Sequence, residues 1–72
     1  MTTHIEFITD TTIGTVAGLT DAFEDIGVDV FPELDREYFI ILSLSGCSAA
    51  GACDLIDDWG YSHWVNSVWE DD

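Results

Sequence analysis

The 72-residue sequence predicts an α+β fold with elements in the order β-α-β-β-α-β, and three observations carry that reading. Residues 15–31, TVAGLTDAFEDIGVDVF, and residues 48–64, SAAGACDLIDDWGYSHW, match in pattern at an offset of 33. Thr15 falls on Ser48, Gly18 on Gly51, Asp21 on Asp54, Glu24 and Asp25 on Asp57 and Asp58, and Gly27 on Gly60. Upstream, IEFIT (5–9) lies against YFIIL (38–42), so a β-rich run precedes each amphipathic stretch and another follows it. Each acidic pair is followed within two residues by glycine, the residue best suited to a left-handed helix exit.

HIEFIT (4–9) alternates as a strand, with Ile5, Phe7 and Thr9 on one side and Glu6 and Ile8 on the other. Asp10, Thr11 and Thr12 each suit an N-cap, and a helix follows near 12–26. Ile13, Val16, Ala17, Thr20, Phe23 and Ile26 form its apolar stripe, with Asp21, Glu24 and Asp25 off it. Gly14 and Gly18 each weaken a helix by about 1 kcal/mol relative to Ala, so they are expected to serve close packing on the sheet. VDVF (28–31) is a short strand, and Pro32–Asp35 reads as a turn because Pro fits badly in a ladder.

EYFIILSLS (37–45) is apolar on both faces, the pattern of a central strand. Ser48 caps a second helix reaching about Trp59, with Ala49, Ala52, Cys53, Ile56 and Trp59 facing inward. YSHWVNSVW (61–69) reads as a last strand, with a helix there as the competing reading, and 70–72 as an acidic tail. This order is the ferredoxin-like split arrangement: a four-stranded antiparallel sheet with two helices on one face and strands one and three central. The single domain spans 1–69. Its other sheet face has no helix to cover it, so Ile8, Phe31, Trp64 or Trp69 is expected to line a surface covered by a second copy or by a target.

So short a chain buries little surface, about 60% for a domain of some 60 residues, and a partner would add to it. The apolar run Tyr38–Leu44 is too short to span a bilayer, and no basic leader stands after Met1, so a cytoplasmic location is expected. Cys47 and Cys53 make neither a disulfide framework nor a zinc or redox motif and read as packing thiols. Cys47, at a helix start with His63 or His4 as base, is the one nucleophile that can be drawn, but nothing brings either histidine to it. SLSGCSAAG lacks the Lys or Arg of a phosphate cradle. The acids of DAFEDIG and DLIDDWG stand at helical spacing rather than at the alternate positions of a calcium loop. No catalytic residue, metal or cofactor is expected.

Charge is the decisive property. Fifteen Asp and Glu face one cationic side chain, Arg36, for a net charge of −14, yet 47% of residues are hydrophobic, so the chain folds and surrounds its core with carboxylates. Such a surface repels nucleic acid and anionic membrane and attracts basic proteins. Glu24 and Asp25, and again Asp57 and Asp58, stand in the last turn of a helix, where a carboxylate costs about 0.3–1 kcal/mol. Both copies accept that cost without a compensating Lys or Arg, so stability is not its reason.

Helical carboxylates three or four residues apart lie about 5–6 Å from one another, close to the spacing of successive phosphates on a nucleic-acid strand. In size, charge and poverty of Lys and Arg the whole chain resembles the small acidic DNA-mimic inhibitors of phages and mobile elements, the anti-CRISPR type among them. No motif carries the resemblance, so it transfers no functional residue. It implies a protein that blocks the basic DNA- or RNA-binding groove of a target, such as a CRISPR effector subunit, in the host cytoplasm. By charge and position, the expected partner-binding residues are Asp21, Glu24, Asp25, Asp54, Asp57 and Asp58, with Glu70, Asp71 and Asp72 contributing secondarily. The alternative is a halophilic or phage structural module, dimeric through its open sheet face, whose acidity serves solvation.

Overall fold

The computed structural model describes residues 2–8, 11–34 and 40–71, with positions 33, 34 and 40 described by backbone alone. Strand β1 (Thr2–Phe7) leads to helix α1 (Ile13–Asp25), β2 (Asp29–Leu34), β3 (Ile40–Ser45) and helix α2 (Ala49–Asp58). A 3-10 turn (Ser62–Trp64) then enters β4 (Val65–Asp71). The sheet order is β2-β3-β1-β4 with every neighbouring pair antiparallel, and strands one and three are central. This is the ferredoxin-like α+β fold. Thr9, Asp10, Asp35–Phe39 (with Arg36 and part of the expected third strand) and Asp72 lie outside the described residues.

The core forms where the helices meet one sheet face. Ile5 and Phe7 of β1 and Leu42 and Leu44 of β3 pack with Val16, Leu19 and Phe23 of α1 and Ala52 and Ile56 of α2. Helix α1 is turned differently from the expected stripe. Leu19 is fully buried, whereas Ile13 and Ile26 are 80% and 53% exposed. The apolar stripe is wider than the contact, and the larger Leu side chain gains more than Ala17 from burial. Ile13, Ala17 and Thr20 instead line an apolar groove with Pro32. Cys53, expected inward on α2, is exposed.

The repeat holds best at the helix exits. Val28 N–H donates to the Phe23 carbonyl and Gly27 N–H to Glu24; 33 residues on, Tyr61 donates to Ile56 and Gly60 to Asp57. Both are Schellman motifs, and both glycines are left-handed, at φ 86° and 81°. The N-termini differ. Thr12 caps α1, its side chain accepting from Thr15 N–H, and Ser48 caps α2 by accepting from Gly51 N–H. Ser48 aligns with Thr15, so α2 starts one turn later within its copy.

Three boundaries correct the sequence reading. Pro32 belongs to β2, opposite Leu42, rather than to a turn; β2 is an edge strand, where a missing N–H need not interrupt the sheet. Residues 62–64 form a 3-10 turn, so the last strand starts at Val65. Glu70 and Asp71 are not a tail: they pair with Thr3 and Thr2 of β1. The expected glycine packing also changes. An added methyl at Gly18 would stand 2.7 Å from the Tyr61 hydroxyl, against the chain after α2 rather than against the sheet, and Gly14 has no comparably close neighbour.

Candidate partner-binding site

The topology sorts the carboxylates into two poles. β1 and β2 run parallel, as do β3 and β4, so each helix runs back against its strands. Because β1 and β3 are antiparallel, so are α1 and α2, and the two acidic helix ends point in opposite directions. Asp21, Glu24 and Asp25 are exposed and line a shallow concavity on α1 with Ala22. Asp54, Asp57 and Asp58 are likewise exposed, at the far end of α2. The structure therefore gathers each expected triplet and separates the two triplets.

The chain ends its last strand at the same end of the sheet as the first triplet, on the opposite edge from β2. β4 finishes where β1 begins, β3 ends and β2 starts, with Thr2 opposite both Ser45 and Asp71 and Ser45 opposite Asp29. One pole thus carries Glu24, Asp25, Asp29, Glu70 and Asp71, all exposed. Asp29 was missed because its contribution comes from strand order, which no local pattern encodes. Neither helix has a basic residue in its last turn. The Schellman bonds satisfy the carbonyls of Glu24 and Asp57 but supply no positive charge.

Glu70 and Asp71 have internal ties as well. The Glu70 carboxylate accepts from Ala49 N–H at 2.5 Å, so it sits on the electropositive end of α2. Asp71 points to the other sheet face, where its carboxylate lies 3.4 Å from His4 Nε2.

That open face has an ordered centre. Phe31, Ser43, His4 and Trp69 stand opposite one another across the four strands, and among the described residues no helix covers them. His4 stacks on Trp69 with ring centroids 5.3 Å apart, and its Nδ1 lies 3.0 Å from Ser43 Oγ. Glu6, one row away, accepts from Asn66 Nδ2 at 2.7 Å and from Ser67 Oγ at 3.3 Å, beside the bulge in β4. Phe31 and Trp69 therefore line this face as expected. Trp64 packs against the core instead, and Ile8 lies past the end of β1.

Ser43, His4 and Asp71 are within polar reach in series, but Ser43 is only 7% exposed. It lies on a strand paired on both sides, where backbone N–H groups are committed to ladders and do not form an oxyanion hole. The string positions His4 between strands. The surroundings of Cys47 favour the thiol over the thiolate. Burial pushes its thiol up from the ordinary range, and Sγ donates to the Ser48 carbonyl at 3.5 Å. Among the described residues, no three His, Cys, Asp or Glu side chains cluster as metal ligands, and no helix is long and apolar enough to cross a membrane.

Compared with family models, curated proteins and solved structures, the chain matches none.

Proposed function

We infer that the protein is a binding inhibitor that occupies the basic nucleic-acid-binding groove of another protein, its carboxylates standing in for phosphates. The observation that carries this reading is the exposure of every described carboxylate of both helical triplets, with no cation in either last turn. Magnitude supports it. The domain measures 26 × 25 × 17 Å and carries a net charge of −14. A duplex about 26 Å long carries roughly 15 phosphate charges, at about one per 1.7 Å of axis. A folded body of similar length and charge competes for the same groove without needing a nucleotide sequence.

The acidic pole is the first point of engagement on this reading, because five exposed carboxylates share that end of the domain. Asp57 and Asp58 extend the charge to the far end. The likeness in size and charge to anti-CRISPR-type inhibitors makes a CRISPR effector subunit a sound first target. The test is a competition assay, with the protein titrated against duplex DNA for candidate basic proteins at several salt concentrations. The expected result is displacement of DNA that weakens steeply with salt. Failure to displace DNA from any of them, or displacement insensitive to salt, returns the charge to a role in solvation.

A further inference from the structure

The open sheet face is a surface that the helical carboxylates leave unexplained. At its centre the row Phe31, Ser43, His4, Trp69 crosses all four strands. Phe31 on one edge strand is 59% exposed and Trp69 on the other is 38% exposed. Three strand spacings separate them, about 14 Å. The neighbouring rows carry acids among other residues: Asp29 and Asp71 lie on the side of the acidic pole, and Glu6, between Ile41 and Ser67, lies on the other. Two aromatic rings held apart by a fixed sheet and bordered by carboxylates form an amphipathic surface with one sign of charge.

A second copy is a poor occupant for this face. A two-fold contact would set Asp29, Asp71 and Glu6 against the same acidic face of an identical chain of net charge −14, with no Lys and a single Arg in each copy. Charge complementarity selects a basic surface, and the rings select among basic residues. Arginine presents a flat, weakly hydrated guanidinium that stacks on an aromatic face while pairing with a carboxylate, whereas lysine is a compact and strongly hydrated point charge.

We propose that the open sheet face docks an arginine-bearing segment of the basic partner, with one guanidinium on Trp69 beside Asp71 and the segment running across the row towards Phe31. His4 already covers one face of the Trp69 ring and holds it by stacking, while its bond to Ser43 holds His4. Trp69 is thereby fixed before a partner arrives, which lowers the ordering cost of binding. The proposal rests on the basic-partner reading and adds to it a second face and a preference for arginine over lysine.

The test uses the isotope-labelled whole chain, titrated with nona-arginine and with nona-lysine at physiological ionic strength and followed by amide and indole N–H shifts. Nona-arginine is expected to bind about two- to fivefold more tightly, the increment of one exposed cation–π contact. The largest shifts are expected at Phe31, His4, Trp69 and Asp71. Trp69→Ser should abolish the arginine preference and leave lysine affinity within about twofold; Phe31→Ser, on the opposite edge strand, should reduce it without touching the Trp69–His4 stack. Equal binding of the two peptides, or shifts confined to the helical carboxylates, would overturn the sheet-face proposal and leave the basic-partner reading standing. Failure of both peptides to bind would overturn both. A dimer in sedimentation that hides Trp69 would assign the face to a second copy and likewise defeat the proposal.

Discussion

The Glu70 carboxylate accepts the Ala49 N–H hydrogen bond across 21 residues and ties the edge strand β4 to the first turn of α2. Ser48 accepts from another free donor of the same turn, Gly51 N–H, at 3.1 Å. Two side chains from separate parts of the chain therefore meet two of the free N–H groups of one helix N-terminus.

Ser48→Ala should lower stability by about 1 kcal/mol, the usual cost of a lost N-cap. Glu70→Ala should also destabilise, and the loss should shrink at high salt because its contribution includes an interaction with the helix dipole. Denaturant melts of both single variants and the double variant, at two salt concentrations, check this. An Ala at position 70 that costs nothing would show that the strand pairing alone holds β4 to the domain.

Gly18 and Tyr61 should be energetically coupled. A methyl at position 18 would meet the Tyr61 hydroxyl at 2.7 Å but the adjacent ring carbon at 3.8 Å, an ordinary contact. Gly18→Ala alone should therefore forfeit the gain of about 1 kcal/mol that alanine brings to a helix interior. In the Tyr61→Phe background the same change should recover it. A double-mutant cycle by thermal melting measures the difference.

Charge reversal of one helical triplet separates function from folding. Changing Asp54, Asp57 and Asp58 together to Lys should raise the melting temperature, since cations are favoured at a helix C-terminus and net repulsion falls. The same variant should lose most of its ability to displace DNA from a basic target, because like charge then faces like charge. Single Asp→Asn changes should cost little in that assay. Unchanged displacement by the triple variant would confine the interface to the acidic pole or to the open sheet face.

The two cysteines should differ in reactivity. Cys53 is exposed, whereas Cys47 is half-buried and its thiol is pushed up by desolvation. Cys47 is both less accessible and less readily ionised than an ordinary thiol, so its alkylation should lag behind that of the exposed Cys53 near neutrality. It should accelerate only as pH rises above the ordinary thiol range. Peptide mapping after limited iodoacetamide treatment resolves the two sites. Replacing both with Ser should leave partner binding intact, because neither belongs to the acidic poles or to the aromatic row.

By itself the sequence determined the element order, the two helix exits and the acidity of their last turns. These are local properties. Glycine after an amphipathic stretch closes a Schellman motif whatever surrounds it, and the repeat carried that motif from Gly27 to Gly60 together with its acidic pair. The apolar character of both faces of the third strand likewise marked it as central before any pairing was known.

The tertiary structure decided what depends on strand order and on packing area. Antiparallel helices sent Glu24 and Asp57 to opposite ends, while the return of β4 beside β1 brought Glu70 and Asp71 to the first of them and made the supposed tail part of the sheet. Helix α1 turned Leu19 inward and left Ile13 in solvent because the sheet contacts less than the full apolar stripe. Phe31, Ser43, His4 and Trp69, drawn from four separate stretches, became one row only through register. A helix exit is written within about six residues, whereas a row across a sheet is set by pairings up to 65 residues apart, between His4 and Trp69, and no local pattern can specify them.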